Sequence, residues 1–417
     1  MHRASYREAI GHFRQALSLN DQLSPDIKRL RTELALLSLL GPALMNVHGR
    51  AAAEVGAVFE HAGEIARQLD SSVDLAPPLS GLWLFHLNRG QFDRAQEIVD
   101  ELFNVARDLD NRDILLQAHH AAWSTGFLRG MFTDARTHVD AGLALYDEAR
   151  HAGHRFLYLD HDPAVCALSV GALLRWLLGY PEQGIRLEHD AIALARRLQH
   201  APSLAVTLEY VGFAQIARGD IAAATATASE LLALTGEYGL VAMRGVALTC
   251  LGWNMGQTDH IGEGLRHLEQ GLATRIQLGL RSLLPFSTCL LAETYFRAQH
   301  YAKGIEQVNL ALAASSEIGD QWFLPRIHML HAQLFQGQAC PDVAAAEASL
   351  CTAIDVARAQ CAKGWELRAT ILMARLWCEQ GKRTEARELL APVYGWFTEG
   401  FDTLDLKQAK ALLHELA

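Results

Sequence analysis

Residues Thr207 to Thr235 read TLEYVGFAQIARGDIAAATATASELLALT, and this stretch decides the fold. Apolar residues recur at three- and four-residue spacing on both sides of Arg218-Gly219-Asp220, so two amphipathic helices, Thr207 to Arg218 and Ile221 to Thr235, meet at a tight turn. Gly212 and Ala224 stand twelve positions apart across that turn. Antiparallel helices approach most closely at one level, and a side chain no larger than methyl on each lets the backbones meet there.

The same layout recurs outward in both directions. A turn glycine precedes a small residue by five positions at Gly90 with Ala95, Gly130 with Ala135, Gly179 with Gly184 and Gly381 with Ala386. Weaker copies fall at Gly264, Gly304 and Ala345. The small positions then run 95, 135, 184, 224, 264, 304, 345 and 386, in steps of 40, 49, 40, 40, 40, 41 and 41. Earlier small partners appear again at Gly252 before Gly264, Ala292 before Gly304 and Ala374 before Ala386, while Trp83 and Trp123 take that place in two copies. A period of this length marks stacked supersecondary units. It predicts an all-α, right-handed α-solenoid whose units bury their faces against one another and leave an extended concave groove for a partner.

Three segments are expected: N-terminal helices over 1–70 with an incomplete first repeat, repeats over 71–398, and a C-terminal capping helix over 399–417. In the first, Tyr6 to Leu19 matches a second helix lacking its first, and Leu23 to Leu69 supplies a pair broken around Gly41-Pro42 and Gly49. In the last, Phe401-Asp402-Thr403 reads as an N-cap leading into Asp405 to Leu416, whose Lys407, Lys410 and Glu415 form a polar outer face.

Composition narrows the function classes. The 417 residues are 50% hydrophobic, enough for a large core, yet no uninterrupted apolar run is long enough to span a bilayer. Met1 to Glu8 lacks the order of a secretory leader, which points to the cytoplasm. A net charge of −10 with interspersed signs offers no basic track for a nucleic acid, and seven cysteines in such a chain read as buried thiols.

The Leu251-Gly252, Val211-Gly212, Leu291-Ala292 and Met373-Ala374 pairs resemble the first helix of tetratricopeptide repeats, although the period is near 40 and no proline closes the second helix. The run Ala391 to Thr403, APVYGWFTEGFDT, followed by Asp405-Leu406-Lys407 and Ala409-Lys410, closely resembles the C-terminus of large bacterial proteins that join an adenylate or guanylate cyclase, a signal-transduction ATPase and a helical repeat region. His161 to Leu168 and Leu177 to Pro181 carry the same resemblance, which covers the repeat region only. It implies a regulatory module whose partner is another protein or an intramolecular cyclase or ATPase domain. The catalytic motifs are missing: Gly381-Lys382-Arg383-Thr384 lacks the earlier glycine of a phosphate loop and has arginine where the hydroxyl belongs. No nucleophile elbow or His-Glu-xx-His motif occurs either, so no enzyme, catalytic residue or cofactor is expected of this chain. A small-molecule ligand in the concave groove is the second reading.

The step of 49 marks an insertion near His151 to Asp162. His151, His154, Asp160, His161 and Asp162 could ligate a divalent ion, but their spacing fits no established metal motif, and Phe156 to Leu159 favours a loop packed over the stack. His119-His120 and His328 with His331 are metal pairs or plain groove histidines. Cys250 and Cys289, at near-equivalent places, form either a redox pair or ordinary core. The eight tryptophans suit packing between repeats, with one or two left for the groove.

Overall fold

The computed structural model describes residues 3–417, with side chains from Tyr6 onward. Met1 and His2, part of the stretch searched for a leader, lie outside the described residues. Every regular element among them is a helix. Helices α1 (Arg3–Asn20) and α2 (Ile27–His48) open the chain, followed by α3 (Ala53–Gln68), α4 (Ser72–Asn88), α5 (Phe92–Asp108), α6 (Arg112–Leu128) and α7 (Phe132–Leu145). Two single turns, α8 (Glu148–His151) and α9 (His154–Leu157), make up the insertion. The pairs resume as α10 (Pro163–Leu177) with α11 (Pro181–Leu198), α12 (Ala201–Arg218) with α13 (Ile221–Tyr238), and α14 (Val241–Gly256) with α15 (Ile261–Gln277). They end as α16 (Leu284–Arg297) with α17 (Tyr301–Ile318), α18 (Leu324–Gly337) with α19 (Val343–Ala359), and α20 (Lys363–Glu379) with α21 (Arg383–Gly395), followed by α22 (Leu404–Glu415). Successive helices pack on one another along the chain, so the molecule is an α-solenoid.

The local chemistry explains the period. Gly90, Gly130, Gly179, Gly219 and Gly381 all hold positive φ just past a first helix, a left-handed stop at which a Cβ would be strained. The residue after each turns back to the helix, as in Gln91 N to His86 O at 3.0 Å and Met131 N to Gly126 O at 2.8 Å. In the copy at Gly304, where that glycine is missing, Gln299 takes the left-handed position. The small residue is the fourth of each second helix, and Ala95, Ala135, Ala224 and Ala386 are buried there. In α19 that place belongs to the buried Ala346; Ala345 is one residue out of register, because the turn before Val343 is longer.

The structure corrects three further expectations. α2 runs straight through Gly41-Pro42 and bends only at Gly49. Gly41 serves packing instead: a Cβ there would stand 2.3 Å from Cζ of Phe59. α1 itself packs on α2, with Tyr6 and Ile10 buried. Thr403 stands at the N-cap of α22, but its hydroxyl donates to Gly400 O and caps no helical N–H.

The third correction bears on function. The solenoid winds tightly enough that the ends of α4 and α6 each meet the turn five pairs further along. Asn88 O accepts from Arg281 N and Ser282 N at 2.8 and 3.2 Å, and Leu128 O accepts from Gln321 N and Trp322 N at the same distances. The axis is therefore closed and filled. Phe127, Phe213, Phe286, Trp322, Phe323 and Trp365 pack ring against ring along it, with centroids 4.7–5.8 Å apart. First helices are consequently buried nearly all round, as α10 shows. Burial of this apolar surface from both sides stabilises the stack more than an open groove would.

Candidate functional site

Convergent polar side chains meet in a cleft where the filled axis opens and in the insertion. The cleft lies between the ends of α14, α16, α18, α20 and α22 and has a volume of about 340 Å³. Aromatic and aliphatic groups, among them Trp253, Phe323, Trp365 and Leu404, form its walls. Charge enters as two nearly buried ion pairs. Arg326 meets Glu293 at 2.8 Å, and Arg368 donates Nε and Nη2 to the two oxygens of Asp405 at 3.0 and 2.6 Å while its guanidinium covers Trp176 and Trp365.

Donors outnumber acceptors here. The indole N–H groups of Trp253 and Trp365 and the Gln257 amide nitrogen are buried without an acceptor, and Arg375 at the mouth makes no ion pair among the described residues. With Glu293 and Asp405 each already matched by an arginine, Arg375 leaves the cleft with one excess positive charge. The lining has no serine, threonine, cysteine, histidine, lysine or tyrosine, and both carboxylates are held by guanidinium groups. The cleft thus presents hydrogen-bond donors and one unpaired guanidinium.

The insertion gives each of its five sequence-predicted residues a different set of partners. His151 lies with Nε2 3.0 Å from Asp113 Oδ1 and Nδ1 2.9 Å from the Asp147 backbone. Arg150 Nε donates to the same Asp113 oxygen at 2.7 Å and holds that carboxyl below its usual range. His154 Nδ1 is 2.9 Å from Gln117 Nε2, and burial pushes its pKa down to about 4. Asp160 turns the other way. It accepts from Tyr6 Oη at 3.0 Å and from Asn46 Nδ2, and burial pushes its carboxyl up to about 7. His161 points inward to His120, with the two Nε2 atoms 3.2 Å apart. Asp162 caps α10 through Ala164 N and Val165 N, accepts from Tyr146 Oη at 2.9 Å, and is anchored by its N–H on Ser203 Oγ.

Sequence spacing thus located the insertion but misjudged its grouping, because the partners come from α1, α2, α6 and α12. Asp113, Gln117 and Asn46 gave no signal in the sequence. As expected, the insertion packs over the stack through Tyr158 and Leu159, although Phe156 and Leu157 stay exposed. His119 meets His138, with their Nδ1 atoms 2.9 Å apart, while its neighbour His120 turns away to His161; His331 lies against Phe335, and neither His119 with His138 nor His328 with His331 gains a third ligand among the described residues. Cys250 and Cys289 are free and fully buried, and burial drives both thiols far above their usual range. Of the tryptophans, 253 and 365 reach the cleft and 83, 123 and 322 are core.

No family model matches the chain. An uncharacterized protein of Rhizobium meliloti (strain 1021) is 28% identical over 377 residues, covering 90% of this chain and 36% of the relative. The chain therefore spans about a third of that relative's length. Among solved structures, a Rap protein complexed with competence and sporulation factor matches with a TM-score of 0.60 at 11% identity, over 94% of this chain and all of that one. A signal-transduction ATPase with a tetratricopeptide repeat sensor from Pyrococcus horikoshii matches more weakly, with a TM-score of 0.40 at 14% identity, over 88% of this chain and 55% of that one. The Rap likeness supports the same fold, a tetratricopeptide-like helical repeat. No helix among the described residues is long and apolar enough to cross a membrane.

Proposed function

We propose that this chain is a non-catalytic helical-repeat scaffold that mediates protein interaction and regulation in bacterial signalling, and that it senses an anionic ligand in its end cleft. The observation that carries the reading is the cleft's surplus of donors: Trp253, Gln257 and Trp365 without acceptors, Arg375 without a counter-charge, and no reactive group beside them. A ligand carboxylate or phosphate supplies the missing acceptors, and charge-assisted hydrogen bonds to it in a partly dry cleft are stronger than those made in water. Because α14, α16, α18, α20 and α22 all border the cleft, an occupant bridges several repeats and biases their packing.

The regulatory partner is a separate protein or a cyclase or ATPase domain of the same polypeptide, in the cytoplasm. The long relative and the resemblance of Ala391 to Thr403 to cyclase-ATPase fusion proteins support that setting. Thermal-shift titration of the chain with sugar phosphates, nucleotides, dicarboxylates and short peptides tests the ligand reading. Stabilisation by one anionic class, lost in Arg375→Ala, is the expected result; a flat response to all four classes, or stabilisation unchanged by Arg375→Ala, refutes it. The scaffold reading is tested by co-purification with the protein encoded beside this chain, and it fails if neither that protein nor a covalently linked domain associates.

A further inference from the structure

Beneath the insertion, His120 on α6, His161 on the loop before α10 and Cys166 on α10 are brought together from different parts of the chain. All three are buried, and one ligand atom from each lies within 4.8 Å of the other two. We propose that these three residues form a zinc(II)-class metal site, independent of the end cleft.

The hydrogen-bond accounting distinguishes this cluster from the neighbouring Asp113, His151 and His154. There, Asp113 is taken by Arg150 and His151, and both His151 nitrogens have partners, so the set is complete without an ion. The inner cluster is incomplete. His161 Nδ1 lies 3.0 Å from Leu159 O, which only accepts, so that nitrogen carries the proton and Nε2 presents a lone pair. A backbone carbonyl behind a histidine in this way fixes the ring as a metal ligand. Without an ion His120 Nε2 carries its proton toward the His161 lone pair, while its buried Nδ1 has no partner, so no hydrogen bond on the far side of the ring opposes moving that proton to Nδ1 when Nε2 ligates. The two Nε2 atoms, 3.2 Å apart, already match the separation of about 3.3 Å that two imidazoles take on a tetrahedral zinc with Zn–N near 2.05 Å.

The sulfur side agrees. Burial pushes the Cys166 thiol up to about 12, and the neighbouring Trp123 and Ser124 side chains act against that rise, the Trp123 indole N–H being otherwise without a partner. Donors of this kind stabilise a thiolate, the form that binds a metal. Zinc(II) on two neutral imidazoles and one thiolate leaves one positive charge and one open coordination position, and releases one proton from the thiol. Glu209, a buried carboxyl that interacts electrostatically with this sulfur, opposes the residual charge, whereas Arg50 adds to it. Two imidazoles with a thiolate suit zinc(II), or cobalt(II) in its place, better than magnesium or calcium, which select oxygen.

Titration of the purified, metal-stripped full chain with cobalt(II) reads the site directly, since thiolate coordination gives a near-ultraviolet charge-transfer band. The expected result is one equivalent of cobalt with that band, displaced by zinc; loss of the band in Cys166→Ser; affinity lowered by more than the roughly 10–100-fold that loss of a ligand's outer hydrogen-bond partner costs in His161→Gln; and no change in His328→Gln. Metal analysis of chain expressed with added zinc gives about one ion per molecule, and this result does not depend on any variant folding. Wild type that takes up no stoichiometric zinc or cobalt, or a band that survives Cys166→Ser, overturns the proposal.

Discussion

The carbonyl of Gly252 lies so close to Gly264 that a Cβ on Gly264 would stand 2.5 Å from it, and a Cβ on Gly252 would stand 2.7 Å from the Gly264 carbonyl. α14 and α15 therefore touch backbone to backbone at the level marked by the twelve-residue spacing. Gly264→Ala must separate two helices that the rest of the stack holds in place, and we expect a loss of about 1–3 kcal/mol. Gly262, two residues earlier on the same helix, faces nothing within 4 Å, and Gly262→Ala should be neutral or stabilising by up to about 1 kcal/mol. Urea unfolding of the two variants checks this; equal effects would contradict the close-contact account.

Glu399 clasps the start of α11 from far along the chain. Its Oε1 accepts from Glu182 N and Gln183 N at 2.9 and 3.1 Å, and Glu182 Oε1 in return accepts from Gly400 N at 2.9 Å. A carboxylate on the free N–H groups of a helix start contributes about 0.5–2 kcal/mol. Glu399→Ala should therefore speed amide hydrogen exchange at Glu182, Gln183 and Gly400 while leaving α14 and α15 protected. Unchanged exchange at those three amides would show that the clasp is not held in solution.

In the cleft wall, Arg368 and Asp405 form a two-pronged pair with both side chains largely buried. Removing one member leaves the other charge without its partner, so Arg368→Leu should cost roughly 3 kcal/mol, with the double variant Arg368→Leu, Asp405→Leu recovering a large part of it. A double-mutant cycle from chemical denaturation measures the coupling. Strictly additive losses would mean that the pair contributes no more than a surface ion pair.

Asp160 sets a pH dependence whose sign follows from its burial. Its folded pKa is raised to about 7 from an ordinary value of 3.8, so between these values the folded state holds a proton that the unfolded state has released. Its contribution is fully present below the unfolded pKa and is lost as pH rises through the folded one, at no more than about 1.4 kcal/mol per pH unit. The difference in melting temperature between Asp160→Asn and wild type should accordingly shift in favour of the variant from pH 5 to pH 8. A difference constant over that range would show that Asp160 titrates normally.

His154 has the opposite sign. Burial lowers its folded pKa to about 4 from 6.5, so the unfolded state binds the extra proton as the medium is acidified below pH 6.5. Stability from this group is lost toward pH 4, and His154→Gln should lessen the acid-induced fall in melting temperature over that window. An identical acid profile in the variant would contradict this assignment.

The repeat was legible in the sequence because its cause is local. A left-handed turn residue favours glycine, and helices that touch backbone to backbone require a small residue at a fixed distance, so both demands are written into positions such as Gly219 with Ala224 and Gly252 with Gly264. Where the turn used Gln299 or lengthened before Val343, the local mark faded and the register slipped to Ala345. Periodicity alone also suggested an open groove. Only the winding of the stack, which carries the Asn88 and Leu128 carbonyls to turns five pairs away, closed the axis and left the cleft at its end. The grouping of the insertion residues was beyond the sequence for the same reason. His161 finds His120 and Cys166, while His151 finds Asp113, through the packing of helices distant in the chain, and no spacing along the polypeptide records which of two neighbouring histidines faces inward.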